Sequence, residues 1–275
     1  MRARLRAVLA AGWLAVAGGV ARAQDVVPFI TTPDQVTLAM LELAGVGPDD
    51  RVIDLGSGDG RIVITAARRF GARGLGVEIV PELVGKSRAN ARAAGVADRA
   101  EFREQDLFTT DLAQASVITM YLLPEVNLQL RPRLLRLAPG TRIVSHDWDL
   151  GDWAPERTLT IDVPDKAVGR EKLSRVHLWI VPAPVQGLWC AGPVGLDITQ
   201  RFQQFSAALG AGGAAPVMVF DGRIEGRTLR GTGTHAVALL QWSERGLRLE
   251  RIGAPAQAYA GQLFVRAGPG GCVGR

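Results

Sequence analysis

The sequence predicts an α/β protein, with a seven-stranded Rossmann-like sheet followed by a small all-β C-terminal domain. Three observations favour this fold class. Residues 34–181 alternate short apolar segments with helical patterns, which is typical of a parallel sheet. A glycine-rich turn follows the first apolar segment. Beyond Pro182 the pattern changes to the period-two alternation of β-strands.

The N-terminus resembles an export signal. Three arginines fall within the first six residues, an apolar segment spans Ala7–Val20, and Ala21–Ala23 has the A-x-A form of a cleavage site. Residues 1–23 are therefore predicted to be removed, which places the protein in the periplasm or outside the cell. The alternative is an uncleaved segment, which would leave the chain membrane-anchored or cytoplasmic. We expect no other contact with a membrane.

The charge of the chain depends on this segment. The whole sequence has 32 basic and 27 acidic residues, whereas residues 24–275 have 28 and 27. A nearly neutral protein does not indicate a nucleic-acid partner. The two cysteines, Cys190 and Cys272, could pair in an oxidising compartment. The sequence leaves that pairing open, because Cys272 lies in a glycine-rich tail.

The first domain is predicted over residues 24–182. Its helices are expected at Gln35–Leu43 (preceded by the capping segment Thr31–Asp34), Arg61–Phe70, Pro81–Ala94 and Pro124–Leu137, the last with Pro132 inside it. Its strands are expected at Arg51–Leu55, Gly74–Val77, Ala100–Arg103, Val117–Leu122, Arg142–Ser145, Leu159–Val163 and Val176–Val181. Seven strands with helices between them predict helices on both faces of one sheet.

The second domain is predicted over residues 185–275. Leu196, Ile198 and Phe202 alternate with polar residues, and Val217–Phe220 leads into a predicted hairpin turn at Asp221-Gly222. Short glycine-punctuated strands continue to the end of the chain. We expect a small sandwich or half-barrel, with no catalytic constellation in it.

The segment VIDLGSGDGRIVI, Val52–Ile64, carries the most specific chemistry. Asp54 is followed by glycines at positions 56, 58 and 60, between an apolar strand and a helix. Glycine permits a tight turn that approaches a ligand, and the helix N-terminus offers free N–H groups to an anion. In the dinucleotide motif G-x-G-x-x-G the third glycine comes one residue later, where this chain has Arg61. The pattern therefore favours S-adenosylmethionine over NAD or FAD.

Two acids follow the next two strands in the same order. Glu78 ends the second predicted strand, where a carboxylate can grip the two hydroxyls of a ribose. Asp106 follows the third strand, where it could accept a hydrogen bond from an adenine amino group. The alternatives are an ordinary carboxylate at the end of a strand and a turn or helix-cap aspartate.

Several motifs together resemble the bacterial relatives of the ATP synthase c-subunit lysine N-methyltransferase family. They are PFITTPDQVTLAML, VIDLGSGDGRIVI, GVEIVPELVGKSR, DLF and YLLPEVNLQLRPRL, and the resemblance covers roughly residues 27–181. It implies a class I methyltransferase fold, S-adenosylmethionine as the cofactor and a protein lysine of unknown identity as the acceptor. The family meets this cofactor in the cytosol, so an export signal is a departure from its pattern.

The resemblance also assigns roles to single positions. Thr32 and Pro33 would lie near the methionine moiety of the cofactor, and Tyr121 and Pro124 at the acceptor side. The complete predicted cofactor site is Thr32, Pro33, Asp54, Gly56, Ser57, Gly58, Gly60, Glu78, Asp106 and Leu107.

Few other residues have side chains that could take part in catalysis. His146 follows the fifth strand and could take a proton from the acceptor, or Asp147 and Trp148 could hold a cationic acceptor. The alternative is a loop histidine hydrogen-bonded to its neighbours. Asp149 and Asp152 lie close by, but we expect no metal site. Methyl transfer needs mainly alignment and desolvation, so no catalytic triad is required. The alternatives to a lysine methyltransferase are a small-molecule methyltransferase and an exported binding protein that has kept the fold without the activity.

Overall fold

The computed structural model describes residues 30–167, 171–211, 215–234 and 236–272. The predicted signal segment 1–23 lies outside the described residues. Among the helices of the described ranges, none combines the length and the apolar character needed to cross a membrane.

The first part of the chain forms one seven-stranded sheet with four helices. The helices are α1 Asp34–Leu43, α2 Arg61–Phe70, α3 Pro81–Ala93 and α4 Pro124–Leu134. The strands are β1 Arg51–Leu55, β2 Arg73–Glu78, β3 Ala100–Glu104, β4 Val117–Met120, β5 Arg142–His146, β6 Arg157–Asp162 and β7 Leu173–Ile180. Their order is β3-β2-β1-β4-β5-β7-β6. β1 to β5 are parallel and β7 runs antiparallel to both neighbours, so the sheet is mixed.

Alternating side chains of the central strands build a core on each face of the sheet. Val52 and Val117 pack in one cluster with residues of α1 and α2. Ile53 and Ile118, one position along the same strands, pack in another cluster with Leu130 and other residues of α4. Strands that are buried on both faces consist almost entirely of apolar residues, and these apolar segments predicted the strands from the sequence. The carboxyl ends of these strands meet at one edge of the sheet.

Three local predictions were wrong. α4 ends at Leu134 rather than Leu137, and Pro132 lies in its last turn, where it supplies no backbone N–H. β4 ends at Met120, two residues before the predicted end. The residue that precedes α1 is Pro33, and no side chain caps this helix, because the proline ring has no hydrogen-bond acceptor. The hydroxyl of Thr32 faces His146 instead.

The second part of the chain is a closed barrel, not the expected sandwich or half-barrel. Its strands are β8 Gly187–Ala191, β9 Val194–Arg201, β10 Gln204–Ala211, β11 Met218–Glu225, β12 Thr228–Gly233, β13 Val237–Ser243, β14 Gly246–Ile252 and β15 Leu263–Arg266. Each strand pairs antiparallel with its neighbours, and β15 pairs with β8 to close the ring. Closure leaves no free sheet edge. The interior is filled by apolar side chains, including Trp189, Phe205, Phe220 and Phe264.

The turn predicted at Asp221-Gly222 lies inside β11 instead. The hairpin turn is at Gly226-Arg227, because Glu225 pairs with Thr228. Gly222 lies opposite Gly231 on β12, and a Cβ at position 222 would come 2.0 Å from the carbonyl oxygen of Arg230. This glycine is therefore required for the close approach of two strands, which a sequence pattern does not distinguish from a turn.

A disulfide joins Cys190 of β8 to Cys272 near the end of the chain, across a sequence separation of 82 residues. The pairing that the sequence left open is therefore present in the structure. It fixes the C-terminal segment to a strand that closes the barrel, since Cys190 also lies opposite Val265 of β15.

Replacing both cysteines by serine should destabilise the barrel. In the chain-entropy picture a loop of this length contributes about 4 kcal/mol to the free energy of unfolding. Denaturant unfolding of the oxidised wild type and of Cys190→Ser/Cys272→Ser measures the difference. A reducing agent should lower the denaturant concentration at which half of the wild type is unfolded to the value of the variant. It should leave the variant's own midpoint unchanged. Equal midpoints for the oxidised proteins would show that the disulfide does not stabilise the fold.

Candidate cofactor and acceptor site

The turn between β1 and α2 has left-handed backbone at its three glycines. The φ angles of Gly56, Gly58 and Gly60 are 74°, 52° and 82°. A Cβ at Gly60 would lie 2.6 Å from the ring of Phe102, and one at Gly56 would lie 2.9 Å from Leu122. Glycine is required here by both conformation and space. The turn is also held to the next strand, since the N–H groups of residues 56 and 57 both donate to the carbonyl of Val77 at 2.9 Å.

Two predicted carboxylates lie beside this turn. Asp54 is fully buried and accepts a hydrogen bond of 2.7 Å from the Thr119 hydroxyl. Burial raises the pKa of Asp54 to about 7, and the nearby charge of Glu78 adds to the effect. The Glu78 carboxylate accepts N–H groups of Gly58 at 3.0 Å, Ile79 at 2.9 Å and residue 80 at 3.1 Å. Glu78 therefore bridges the glycine turn and the end of β2.

The residues predicted at the adenine lie after β3. Asp106 is exposed, and its Oδ1 accepts the N–H of Phe108 at 2.8 Å. This bond closes a turn, which is the alternative role that the sequence left open. Leu107 is partly buried against the core of the sheet. An adenine-binding role for these two residues stays a prediction.

An ion pair that the sequence did not predict links the turn to the start of the domain. Asp59 binds Arg61 through hydrogen bonds of 3.0 Å to Nε and 2.7 Å to a terminal nitrogen. Arg61 also donates to the carbonyl of Thr32 at 2.7 Å. Neighbouring charges of opposite sign hold the pKa of Asp59 below its usual value against the opposing effect of burial. Arg61 thus places the Thr32-Pro33 segment against the glycine turn.

The residues present fit S-adenosylmethionine. The hydroxyl of Ser57 is buried in the turn and lacks a hydrogen-bond partner among the described residues. A buried polar atom of this kind is costly unless a ligand or water satisfies it. The site combines helix N–H groups for a carboxylate with Asp54 and Glu78 for an ammonium group and hydroxyls. Within the described ranges, no three metal-binding side chains form a cluster that could hold a metal ion.

Two residues predicted at the acceptor side, Tyr121 and His146, lie close together at the carboxyl ends of β4 and β5. Their rings lie 4.0 Å apart between centroids. His146 is the last residue of β5 rather than a loop residue, and it is buried. Its Nδ1 lies 3.3 Å from the Thr32 hydroxyl and its Nε2 lies 2.9 Å from the Ser174 hydroxyl. Burial lowers the pKa of His146 well below its ordinary value, so the ring is neutral at pH 7.

Tyr121 lies near the charge of Asp147. Burial, together with this charge, raises the pKa of Tyr121 to about 12. The phenol therefore stays protonated. Pro124 begins α4, where a missing N–H leaves no hydrogen bond unmade. The structure gives it no further contact that indicates a role, and its place at the acceptor side stays a prediction.

The segment after β5 is tied to α4. The Asn127 amide donates to the carbonyls of Trp148 and Asp149, both at 3.3 Å. Arg131 donates to the Leu150 carbonyl at 2.9 Å and forms an ion pair with Asp152. The Trp148 side chain is 45% exposed beside the site.

The barrel holds the same segment from the other side. Phe202, in the turn between β9 and β10, stacks on the buried ring of Trp153 with centroids 6.1 Å apart. Arg201 pairs with Asp152 at 3.3 Å, and Gln203 donates to the Ala154 carbonyl at 2.7 Å. These contacts join residues distant in sequence, and the alternating pattern around Phe202 predicted only a strand.

Comparison with known proteins shows which family this chain resembles. Residues 54–157 match the family model described as the ANTKMT methyltransferase domain. A protein-lysine N-methyltransferase of Saccharolobus islandicus is 44% identical over 138 residues, which is 50% of this chain and 86% of the relative. The ATP synthase c-subunit lysine N-methyltransferase of Mus musculus is 39% identical over 108 residues, but these cover only 39% of this chain and 43% of the mouse protein.

One solved structure is similar over nearly its whole length. It is described as an RNA methyltransferase from Salinibacter ruber in complex with S-adenosyl-L-homocysteine. It is 52% identical with a TM-score of 0.52, and the match covers 57% of this chain and 96% of that one. The similarity to this structure therefore covers little more than half of this chain, and the similarity to the Saccharolobus islandicus protein covers half.

The pKa of Asp54 predicts a pH dependence of cofactor binding. The ammonium and sulfonium groups of S-adenosylmethionine are positive and favour the ionised carboxylate, so binding should release the proton that Asp54 holds below pH 7. The affinity for S-adenosylmethionine should be constant above about pH 7 and should fall by up to about tenfold per pH unit below it. Calorimetric titration between about pH 5.5 and 7.5 measures this slope. Asp54→Asn should give a flatter profile, and an equal slope in both proteins would contradict this role of Asp54.

Proposed function

We propose the function from one premise: the chain belongs to the protein-lysine N-methyltransferase family that carries the ANTKMT methyltransferase domain. It is an S-adenosylmethionine-dependent methyltransferase, and its acceptor is a lysine side chain of a protein. The observation that carries this conclusion is the juxtaposition of two groups of residues. The left-handed glycine turn with Asp54 and Glu78 lies at the same sheet edge as Tyr121 and His146.

The reaction requires little covalent chemistry of the protein. When bound, S-adenosylmethionine supplies a sulfonium methyl group that an amine can attack in line. The chain must present a neutral lysine amine in that line, because an ammonium ion has no free electron pair. Partly buried surroundings favour the loss of the proton to water. Leu123 after β4 and Trp148 after β5 expose apolar side chains. The protonated phenol of Tyr121 and the nearby Asp147 carboxylate offer polar contacts for orientation.

RNA is the second candidate acceptor, because the Salinibacter ruber protein is described as an RNA methyltransferase. The charge of this chain argues against it. Residues 24–275 contain 28 basic and 27 acidic residues, whereas RNA binding relies on a basic surface. We therefore place a protein lysine first.

We also propose that the chain is exported, with residues 1–23 removed. The basic and apolar pattern of this segment supports the proposal, and so does the Cys190–Cys272 disulfide, since such bonds persist in oxidising compartments. Cell fractionation followed by N-terminal sequencing tests it. Gln24 as the first residue of periplasmic or secreted protein supports export, and full-length protein in the cytoplasm contradicts it.

The acceptor class is tested by methyl transfer from radiolabelled S-adenosylmethionine. A lysine-rich histone mixture and total cellular RNA serve as separate probes. We expect label in the protein, recovered as methyl-lysine after hydrolysis. Gly58→Ala should lower the rate at least about tenfold, because alanine is strained at a φ of 52°.

Gly95→Ala is the matched control. Gly95 is also left-handed, with a φ of 70°, but it lies after α3 with open space around it. It should keep the activity and lose only about 1 kcal/mol of stability. Label in RNA alone would replace lysine by RNA as the acceptor, and label in neither probe would count against both.

A further inference from the structure

We propose that the Asp147 carboxylate binds the acceptor lysine as an ammonium ion when it enters the site, before its proton is lost to water and the neutral amine attacks. The Lys166 ammonium occupies this position when no acceptor is bound. The inference rests on the proposed function and names a residue that selects the acceptor. It follows from the backbone of Asp147, from the partners of its carboxylate and from the type of residue found at position 166.

The backbone of Asp147 is held in an uncommon conformation. Its φ is 62°, and within the described ranges it shares left-handed backbone with only one other non-glycine residue, Phe202. Two hydrogen bonds to Arg175 fix it: the Asp147 N–H donates to the Arg175 carbonyl at 2.6 Å, and Oδ1 accepts the Arg175 N–H at 3.0 Å. Aspartate tolerates this conformation, but conformational strain of this kind often marks a functional position. The second carboxylate oxygen, Oδ2, takes no part in these two bonds and faces the Lys166 ammonium.

The Asp147 Oδ2 atom faces residues from the end of β5 and from the β6–β7 connection. The ammonium Nζ of Lys166 is 2.7 Å from Oδ2, and Nε2 of His146 is 3.6 Å from it. Tyr121 lies within the influence of the same carboxylate, whose charge contributes to its raised pKa. The side chains of Asp147 and Lys166 are 17% and 12% exposed, so the pair is largely buried and yet open to solvent. A lysine ammonium therefore already lies beside the two aromatic rings at the ends of β4 and β5.

Lysine is a rare choice in this chain. Only three of its 32 basic residues are lysine, at positions 86, 166 and 172. Arginine supplies the cation for Asp50, Asp59 and Asp152. Arginine forms stronger bidentate pairs with a carboxylate, so stability alone does not favour lysine at position 166. A lysine there presents the same compact ammonium on the same four-carbon stem as the proposed acceptor.

Exchange of one lysine for another conserves charge. If the acceptor ammonium takes the place of the Lys166 ammonium, Asp147 never loses its counterion, and no buried charge is left unpaired. Lys166 would give up the ion pair and its hydrogen bond of 2.5 Å to the Leu173 carbonyl and move its ammonium into water. The site thus favours a lysine over a neutral or anionic acceptor, and Lys166 competes with it.

The test measures binding of a lysine side-chain analogue without turnover. n-Butylammonium is titrated into the protein loaded with S-adenosylhomocysteine, and the amide signal of Asp147 is followed by NMR. Removing the competitor in Lys166→Met should tighten binding at least about tenfold relative to wild type. Adding Asp147→Asn to that variant should remove the gain.

Lys172→Met is the matched control, because it removes an ammonium from the same connection between β6 and β7. The Lys172 ammonium donates to the Lys166 carbonyl at 2.8 Å rather than to the Asp147 carboxylate, so the affinity should stay within about twofold of wild type. The Lys166→Met substitution should tighten binding of n-butylguanidinium, an arginine analogue, less than it tightens binding of n-butylammonium. Thermal melting verifies that each variant is folded, and Lys166→Gln provides the same comparison if the methionine variant unfolds.

The outcomes separate this inference from the proposed function. Tighter n-butylammonium binding in Lys166→Met, lost with Asp147→Asn, supports the assignment. Normal S-adenosylhomocysteine binding without that gain, or with an equal gain in Lys172→Met, overturns it and leaves the methyltransferase function in place. A folded protein that does not bind S-adenosylhomocysteine overturns both.

Discussion

The site depends on one backbone constraint, the left-handed turn that connects β1 to α2. Only glycine adopts this conformation freely, and larger residues would also collide with Phe102 and Leu122. Because the turn is tight, the N-terminus of α2 lies directly above the end of β1, and Glu78 at the end of β2 can accept an N–H from the turn. Asp54 is buried beneath it with a raised pKa. The arrangement thus places the N-terminus of α2 beside two carboxylates, which suits the amino-acid and ribose parts of the cofactor.

The acceptor side depends on contacts between distant parts of the chain. The segment after β5 is held by α4 through Asn127 and Arg131 and by the barrel through Phe202. Asp152 lies between the two, since it pairs with both Arg131 and Arg201. The barrel therefore holds the segment after β5 in place, next to the residues that we propose bind the acceptor.

The sheet domain was largely predictable because its signals are local. Apolar segments, helix periodicity and the glycine turn can each be read within about fifteen residues. The barrel was recognised as all-β, but its closure depends on the pairing of β8 with β15, which are far apart in the sequence. The prediction of a turn at Asp221-Gly222 was wrong for a related reason, because Gly222 lies opposite Gly231 on another strand. The sequence suggested Asp147 as a group that could hold a cationic acceptor, but it did not indicate Lys166 beside it, because only folding brings β5 and the β6–β7 connection together.

Calorimetry with S-adenosylmethionine shows whether the turn and its carboxylates bind an adenosyl cofactor. The protein spanning residues 24–275 is compared with Glu78→Gln and with Glu82→Gln, which changes an exposed carboxylate in the first turn of α3. We expect micromolar binding to the wild type, a loss of at least about tenfold in Glu78→Gln and no change in Glu82→Gln. A folded wild-type protein that binds no S-adenosylmethionine, or equal binding by all three proteins, would contradict this expectation.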